Sequence, residues 1–253
     1  MVLSSCSQYE KLLKSNDVAK KLEAANTYYD NEKFSKANTL YEGLIPLLKG
    51  TKSFETIYYQ YAYSFYNMKD YLSASYHFKN FISFFPNSTA TEEMEFMHAK
   101  TLYLMAPKVT LDQSSTVKAM EAMQNYVEQF GNSKRIKEAN EIIASGREKL
   151  EQKDLNAAKL YYQIGYYKSA VVYFENMLKT YPDSDQSDYY KYMVIRSQYR
   201  YAQNSTADKQ KSRYQKVVEN FIQFKEYNPN SKYLDEAEKL YARADQNIKQ
   251  IQK

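Results

Sequence analysis

The residue types that most often carry enzymatic or metal chemistry are scarce in this sequence. Its 253 residues include two histidines, His77 and His98, and one cysteine, Cys6. Neither histidine stands with a cysteine, aspartate or glutamate in a zinc-ligand pattern, so we interpret both as satisfied surface side chains. The sequence also lacks a glycine-rich phosphate-binding loop. We therefore predict a protein that is not an enzyme, with no metal site and no cofactor.

Cys6 is the residue whose neighbours indicate a covalent modification. Leu3-Ser4-Ser5-Cys6 reads as a bacterial lipobox, in which an aliphatic residue and two small ones precede the lipidated cysteine. A signal peptide would add a charged start and roughly 7–15 apolar residues, whereas only residues 1–3 precede the two serines here. Either the start codon was assigned too late or the chain was trimmed. The alternative is a chance cysteine in a disordered tail.

Membrane attachment is expected to depend on this cysteine, because no other segment approaches the roughly 20 apolar residues of a membrane span. One acyl chain binds a membrane only reversibly, and stable anchoring takes more than one. The lipobox interpretation supplies them as a diacylglycerol and an N-acyl chain on Cys6. Ser7 at the next position is consistent with export to the outer membrane. A single cysteine also excludes an internal disulfide.

Tyrosine is the most unusual feature of the composition, with 28 residues against 12 phenylalanines and no tryptophan. Such a density is compatible with a ligand cage, a nucleic-acid platform or an aromatic core. The formal net charge is +5, and lysines and glutamates alternate at helical spacing, which is typical of a solvated helix face. We therefore predict no nucleic-acid partner. Five glycines and five prolines are too few for the turns of a sandwich or barrel.

A repeated spacing organises the aromatics and predicts the fold. A small residue is followed three positions later by an aromatic one, and twelve positions later by an alanine that opens a second aromatic pattern and a proline-terminated tail. This is the tetratricopeptide pattern of paired antiparallel helices. Two further copies are stretched to twenty positions, from Ala99 to Ala119 and from Ser197 to Val217, and each is expected to carry an eight-residue loop insertion. We predict an all-α tetratricopeptide-repeat solenoid of five helix pairs with a C-terminal capping helix.

Three regions follow from this frame. Residues 1–16 would hold the lipobox and a tether to the membrane, residues 17–133 the first three repeats, and residues 134–253 the last two repeats and the capping helix, from Tyr233 to about Gln250. The small and alanine positions let helices approach closely, and the aromatics fill the gap between pairs. We assign the following aromatics to the core: Tyr28, Tyr41, Phe65, Phe78 and Phe174.

The inner wall of the first repeats is the expected binding surface. First-helix positions that point away from the second helix are nearly all tyrosine in the second repeat, and the third repeat places Phe96 on the same wall. Aromatic rings offer apolar area at low entropic cost, while hydroxyls and amides could meet an extended peptide backbone. In the fourth repeat Tyr162 takes such a position. The residues that we expect to bind such a peptide, called the client peptide below, are Asn26, Tyr29, Tyr59, Tyr63, Tyr66 and Asn67.

The lipobox followed by five such repeats resembles the BamD family, lipoproteins of the bacterial β-barrel assembly machinery. "YYQIGYYKSAVVYFENMLKTYPDS" reads like that family's fourth repeat, and "NEKFSKANTLYEGLIPLL" resembles its first. The resemblance implies a scaffold whose acyl chains hold it on the periplasmic face of the outer membrane of a Gram-negative bacterium.

Partners are also implied by this resemblance. The C-terminal repeats would bind the last periplasmic domain of a BamA-like barrel insertase, and the N-terminal repeats would receive unfolded outer-membrane proteins. Other lipoproteins of the complex are further expected partners. The family's contact with the insertase includes an arginine after a tyrosine, which Tyr199-Arg200 matches, with Arg196 one turn earlier. The alternative is another tetratricopeptide lipoprotein scaffold, for periplasmic secretion or cell-wall proteins.

Overall fold

The computed structural model describes the backbone of residues 3–252 and the side chains of residues 8–252, and this range contains twelve α-helices and no strand. The helices of the first half are α1 (Leu3–Lys14), α2 (Val18–Asp30), α3 (Phe34–Leu48), α4 (Phe54–Asn67), α5 (Tyr71–Phe84), α6 (Thr91–Leu104) and α7 (Ser114–Gln129). Those of the second half are α8 (Ile136–Gln163), α9 (Tyr167–Thr180), α10 (Ser187–Gln203), α11 (Ala207–Tyr227) and α12 (Leu234–Ile251).

The chain is divided into two compact units, Met1–Glu148 and Lys149–Lys253. The division lies inside α8, whereas the sequence frame placed a boundary at residue 134, in the turn before that helix. Helix α8 runs for 28 residues without a proline, so nothing in its sequence forces it to end. Its Gly146 allows a close approach to α7, because a Cβ there would lie 2.6 Å from Met120 Cγ.

The tetratricopeptide prediction is confirmed by the burial of the positions on which it was built. Each first helix contributes one small residue and each second helix one partner, and all ten side chains are 0% exposed. Close approach of the paired helices is therefore achieved at every repeat. These residues are Ala25, Ala62, Ala99, Ala158 and Ser197 on the first helices, and Ala37, Ala74, Ala119, Ala170 and Val217 on the second.

Second helices end where the tail motif predicts. Helices α5, α7, α9 and α11 each end two residues before the helix-stopping residue of their repeat. Proline cannot donate a backbone hydrogen bond and biases its predecessor away from the helical region, and glycine is a weak helix former. The four residues are Pro86, Gly131, Pro182 and Pro229.

The turns inside the unstretched repeats share one backbone conformation. In the second repeat the Lys69 amide donates to the Tyr66 carbonyl at 2.9 Å and the Asp70 amide donates to the Phe65 carbonyl at 3.0 Å. This paired arrangement is a Schellman motif, which requires a left-handed residue after the helix. That residue is Glu32, Lys69 or Gly165 in the three turns, with φ of 57°, 63° and 84°.

The two stretched repeats accommodate their extra residues differently. In the third repeat a nine-residue connection, 105–113, separates α6 from α7, as expected. In the fifth repeat the predicted loop insertion is wrong, because only residues 204–206 connect α10 to α11 and the extra residues lengthen the helices. The segment after Thr206 contains no glycine or proline before Pro229, so nothing interrupts the helix. Asp208 in its first turn interacts favourably with the helix dipole.

The aromatic core largely follows the sequence assignment. Tyr41, Phe78 and Phe174 are 0% exposed, and Tyr28 and Phe65 are half-buried against their clusters. Phe96 is a correction. It was expected on the inner wall but is 0% exposed, because Tyr126 packs against its edge with ring centres 5.3 Å apart.

The N-terminal segment is helical and contacts the first repeat. Tyr9 packs edge-on against Tyr28 at 5.5 Å, and its hydroxyl donates to the Lys36 carbonyl at 3.2 Å. Leu12 joins the same apolar cluster. The region expected to serve as a tether therefore has packing of its own from Gln8 onward. The Cys6 side chain lies outside the described residues.

Candidate binding sites

The two histidines are packing residues rather than the surface residues that the sequence suggested. His77 is half-buried and stacks on Phe65 with centroids 4.9 Å apart, and its Nδ1 lies 2.9 Å from the Tyr58 hydroxyl. His98 Nδ1 lies 3.0 Å from both the hydroxyl and the carbonyl oxygen of Ser75. Burial lowers the pKa of His77 to about 4 and also lowers the pKa of His98. Both imidazoles are therefore neutral structural groups at neutral pH.

In the part of the chain that the structure describes, no group of three or more histidine, cysteine, aspartate or glutamate side chains could hold a metal ion. None of the helices in this part combines the length and the apolar character needed to cross a bilayer. The residues that the sequence selected for binding lie on two surfaces.

The first candidate surface is the tyrosine wall, which we define as Tyr29, Tyr59, Tyr63 and Tyr66 with Asn26 and Asn67. Three of its rings lie on one face of α4, at helical spacings of four and three residues. The centroids of Tyr59 and Tyr63 are 4.7 Å apart, and those of Tyr63 and Tyr66 are 6.2 Å apart. The rings are half-buried, because Phe78 packs behind Tyr63 at 5.2 Å. The wall is therefore a row of rings with restricted side-chain freedom.

Helix α2 extends the wall. Tyr29 packs edge-on against Phe34 and Tyr41 at 5.4 Å and 6.3 Å. The Tyr41 hydroxyl lies 2.9 Å from Asn26 Oδ1, so this amide is oriented by the core. Burial, with smaller contributions from Tyr59 and nearby carboxylates, raises the pKa of Tyr29 to about 12. Asn67 is exposed at the end of α4.

Two of the wall hydroxyls are already bound within the chain. Tyr63 donates to Glu93 Oε1 at 2.6 Å and Tyr59 donates to Glu93 Oε2 at 3.2 Å. Arg135 completes the group, with Nη2 3.2 Å from the same Oε1. Burial and the adjacent Glu93 raise the pKa of Tyr59 and of Tyr63. The wall therefore offers ring faces to a ligand, whereas the sequence suggested that these hydroxyls would meet a peptide backbone.

The second candidate surface is an open cleft of about 320 Å³ in the second unit, here called the basic cleft. It contains all three residues that the family resemblance assigned to partner binding, and it adds cations from α12. Its lining consists of Tyr162, Tyr192, Arg196, Tyr199, Arg200, Gln203, Glu236, Lys239, Leu240 and Arg243.

Arg196 is held in place by aromatic contacts. Its Nε donates to the Tyr162 hydroxyl at 2.9 Å, and its guanidinium lies 5.2 Å from the centre of the same ring. Arg200 is exposed, with Nη1 bonded to Gln203 Oε1 at 2.9 Å on its own helix. Tyr199 is only 9% exposed and packs against Tyr214, so it forms part of the floor of the cleft and offers little surface to a partner.

The opposite side of the cleft comes from α12. Lys239 and Arg243 lie four residues apart on this helix and thus on one face. Glu236, one turn before Lys239, accepts a hydrogen bond from the Tyr192 hydroxyl at 2.6 Å. Burial and this contact raise the pKa of Tyr192 to about 12. The cleft therefore presents four cationic side chains around one carboxylate.

Several of these residues were missed from the sequence. The four-residue spacing of Lys239 and Arg243 on the capping helix was a usable signal, because it places both on one helix face. The contact between Glu93 and Arg135 gave no comparable signal, since the two residues come from different repeats and are 42 residues apart.

Comparison with known proteins decides the family. The family described as "YfiO: Outer membrane lipoprotein" matches residues 14–187 and 151–248. This chain belongs to the YfiO family of outer membrane lipoproteins. The BamD-type resemblance drawn from the lipobox and repeats is thereby confirmed at family level.

A curated relative is similar to this YfiO-family chain. It is the "Putative outer membrane protein assembly factor BamD" of Aquifex aeolicus (strain VF5), 26% identical over 162 residues, which cover 63% of this chain. The chain spans about half of that protein, since the match covers 51% of its length. A solved structure, "TPR2AB-domain:pHSP90-complex of yeast Sti1", is 13% identical with a TM-score of 0.40, covering 90% of this chain and 98% of its own.

Proposed function

We propose that this protein is a non-catalytic scaffold for assembling outer-membrane β-barrel proteins. It is held on the periplasmic face of the outer membrane by lipid on Cys6. It binds the periplasmic domain of a BamA-like barrel insertase through the basic cleft and unfolded outer-membrane proteins through the tyrosine wall. Membership of the YfiO family supports the outer-membrane assignment, and the relative described as an assembly factor supports the process.

One observation carries the partner assignment. Arg196, Tyr199 and Arg200, chosen from the sequence, line one open cleft together with Lys239 and Arg243 from a different helix. If the motif matched by chance, its side chains would have no reason to line one cleft together with cations from another helix. Their convergence supports a binding role for the cleft.

The chemistry of the cleft fits a partner segment that carries carboxylates. Arginine presents planar donors that match a carboxylate in two-point contact, and opposite charges steer association and fix register. Tyr162 already orients the Arg196 guanidinium, so less side-chain freedom is lost on binding. Leu240 adds apolar surface within the same lining.

The tyrosine wall fits a segment of an unfolded barrel protein. Strands of such proteins alternate apolar and polar side chains, with aromatic residues at both membrane interfaces. Rings at 4.7 Å and 6.2 Å spacing along α4 offer stacking and edge contacts to these apolar side chains. Tyr63 is held in place because Phe78 packs behind its ring.

Arg200→Glu tests the partner assignment. The substitution places a like charge against a carboxylate-bearing partner, and we expect the barrel insertase to be lost from copurification out of solubilised outer membranes, by about tenfold or more. Arg200 is exposed, so the helical circular dichroism signal should not change. Lys168→Glu is the matched control, since Lys168 is an exposed residue of α9 outside the cleft. Undiminished insertase in the Arg200→Glu sample would contradict the assignment.

A further inference from the structure

Three donors, two from α4 and one from the residue before α8, converge on the Glu93 carboxylate. Tyr63 and Tyr59 reach it from α4 at 2.6 Å and 3.2 Å, and Arg135 reaches it at 3.2 Å from the residue before α8. Single tyrosine–carboxylate pairs occur elsewhere, such as Tyr190 with Glu151 at 2.6 Å. The Glu93 group differs because it combines two hydroxyls with a guanidinium, which is the donor set that binds a carboxylate with charge and direction.

The donors are positioned by contacts other than those to Glu93. The Arg135 guanidinium lies 4.7 Å from the centre of the Phe96 ring, which is fully buried and therefore fixed. Tyr63 packs on Phe78 and Tyr59 packs on Phe81, with centroids 5.2 Å and 6.2 Å apart. The donor set would therefore keep its arrangement if the Glu93 side chain rotated away.

Solvent can reach the group. The side chains of Glu93 and Arg135 are 35% and 37% exposed. Glu93 lies in the first turn of α6, where the helix dipole favours a negative charge whether or not it contacts Arg135. Rotation of Glu93 into water thus leaves its charge in a favourable place and exposes three oriented donors.

We propose that Tyr59, Tyr63 and Arg135 form a carboxylate-binding site, and that Glu93 is its internal occupant, displaced by a carboxylate of a bound peptide. The inference rests on the proposed function, since the site lies within the tyrosine wall assigned to client segments. The carboxylate is either the end of the peptide chain or an acidic side chain. A peptide without a carboxylate cannot replace the contacts of Glu93, so the internal occupant acts as a filter.

The internal occupant also sets the affinity. When a ligand needs an open site, its apparent affinity is the intrinsic affinity multiplied by the fraction of time that the site is open. If Glu93 leaves the site open about a tenth of the time, its removal strengthens binding of a carboxylate about tenfold by the same relation. A peptide that lacks a carboxylate should gain nothing.

The test compares three forms of one peptide on the 253-residue chain. The peptide has ten residues of alternating polar and aromatic character and is made as a free acid, as a C-terminal amide, and as an amide with one internal aspartate. We expect Glu93→Ala to bind one or both carboxylate-bearing forms about tenfold more tightly than the parent, with the plain amide unchanged. The form that gains identifies the carboxylate source. Arg135→Gln added to Glu93→Ala should abolish the gain, whereas Lys134→Gln, an exposed neighbour, should retain it.

A second probe separates the inference from the proposed function. A second measurement follows the NMR signal of ¹³C-labelled acetate at constant ionic strength. The signal should broaden saturably when Glu93→Ala is added and only weakly when the parent protein is added. It should not broaden with the double variant Glu93→Ala/Arg135→Gln. Saturable broadening without any peptide binding would uphold the carboxylate site and overturn the client role of the wall. Equal acetate behaviour in all three proteins, or an equal gain for acid and amide peptides, would overturn the site. Glu93→Ser, which also removes the carboxylate and shortens the side chain, gives the same readout if the alanine variant does not fold.

Discussion

Tyrosine in this protein has a different role at each end of its side chain. The ring fills the space between helix pairs, while the hydroxyl reaches a carboxylate on a neighbouring helix. Tyr190 donates to Glu151 at 2.6 Å, and Tyr181 donates to Asp154 at 2.8 Å. Phenylalanine could fill the same volume but would leave the carboxylate without this donor. The high tyrosine content is thus accounted for in good part by structure, and the wall is a local use of the same pattern.

His77 makes stability sensitive to acid. Burial lowers its pKa to about 4, from an ordinary value of 6.5, and Asp70 only partly opposes the shift. The unfolded chain therefore binds a proton at a higher pH than the folded chain, so folded-state stability decreases as the pH falls from about 6.5 towards 4. His98, whose pKa is also lowered by burial, acts in the same direction. We expect the free energy of unfolding, from urea titrations at fixed salt, to decrease over this range.

His77→Gln provides the comparison for that prediction. The variant cannot titrate at this position, so its unfolding free energy should depend less steeply on pH between 6.5 and 4. Glu95 has a pKa raised by burial and acts in the opposite sense at the acidic end. The difference between parent and variant is therefore the relevant quantity. Parallel pH profiles for the two proteins would show that His77 does not contribute.

The sequence predicted residues that contact each other within one helix pair, but not residues that contact distant parts of the chain. The ten positions at which paired helices meet could be read from spacing alone, because the helices must approach closely there. Phe96 could not be placed correctly, since Tyr126 and Arg135, which cover it, come from later elements. The Glu93–Arg135 contact likewise joins positions 42 residues apart. Periodicity describes one helix at a time and carries no information about such pairs.

At the level of elements, the turn inside each unstretched repeat uses a left-handed residue. Gly165 adopts this conformation without a Cβ penalty, whereas Glu32 and Lys69 occupy it at φ of 57° and 63°. The same paired hydrogen bonds close each turn, for example from the Lys33 amide to the Tyr28 carbonyl at 2.8 Å. The helix-pair geometry therefore imposes the conformation whatever residue occupies the position.

Lys69→Gly should stabilise the protein. The left-handed region is unfavourable for a residue with a side chain by roughly 1–2 kcal/mol, and the greater freedom of glycine in the unfolded chain offsets part of that gain. We expect a net increase of about 1 kcal/mol in the unfolding free energy from denaturant titration. Gly165→Ala, the reverse change at the equivalent turn, should decrease it by a similar amount. A decrease with Lys69→Gly would contradict the strain argument.

The elements themselves were largely predictable, and their lengths were less so. Apolar spacing and helix-stopping residues gave the pairs and the ends of α5 and α9. The polar segment after Gln203 suggested a loop, yet α11 begins at Ala207. Polarity alone could not distinguish a loop from an exposed helical turn, and the absence of glycine and proline was the better guide.

The whole molecule consists of two compact units, each with one candidate binding surface. The first unit holds the tyrosine wall, whose ring faces suit apolar segments. The second holds the basic cleft, whose charges suit an acidic segment. Binding at the cleft should weaken as ionic strength rises, because exposed charges are screened, whereas binding at the wall should be less sensitive. The surfaces can therefore serve different partners.

Cys6→Ala tests the membrane anchor. When the chain is expressed with a lipoprotein leader, the parent should sediment with outer membranes and carry an N-terminal mass increase for its acyl chains. The variant should appear in the soluble periplasmic fraction, because attachment of this kind depends on more than one acyl chain on the cysteine. Ser7→Ala, a neighbouring change that leaves the cysteine, should remain with the membranes. Membrane association of Cys6→Ala after a carbonate wash would contradict anchoring through lipid on Cys6.

Photo-cross-linking in the native bacterium tests whether the basic cleft binds the periplasmic domain of a barrel insertase. A photoreactive amino acid at Arg243 lies in the cleft, while one at Gln215 lies on exposed α11 outside it. We expect a cross-link from position 243 to the periplasmic part of one outer-membrane barrel protein, and this cross-link should be absent from position 215 and lost when Arg200→Glu is added. A cross-link from position 243 to a secretion or cell-wall protein instead would contradict it.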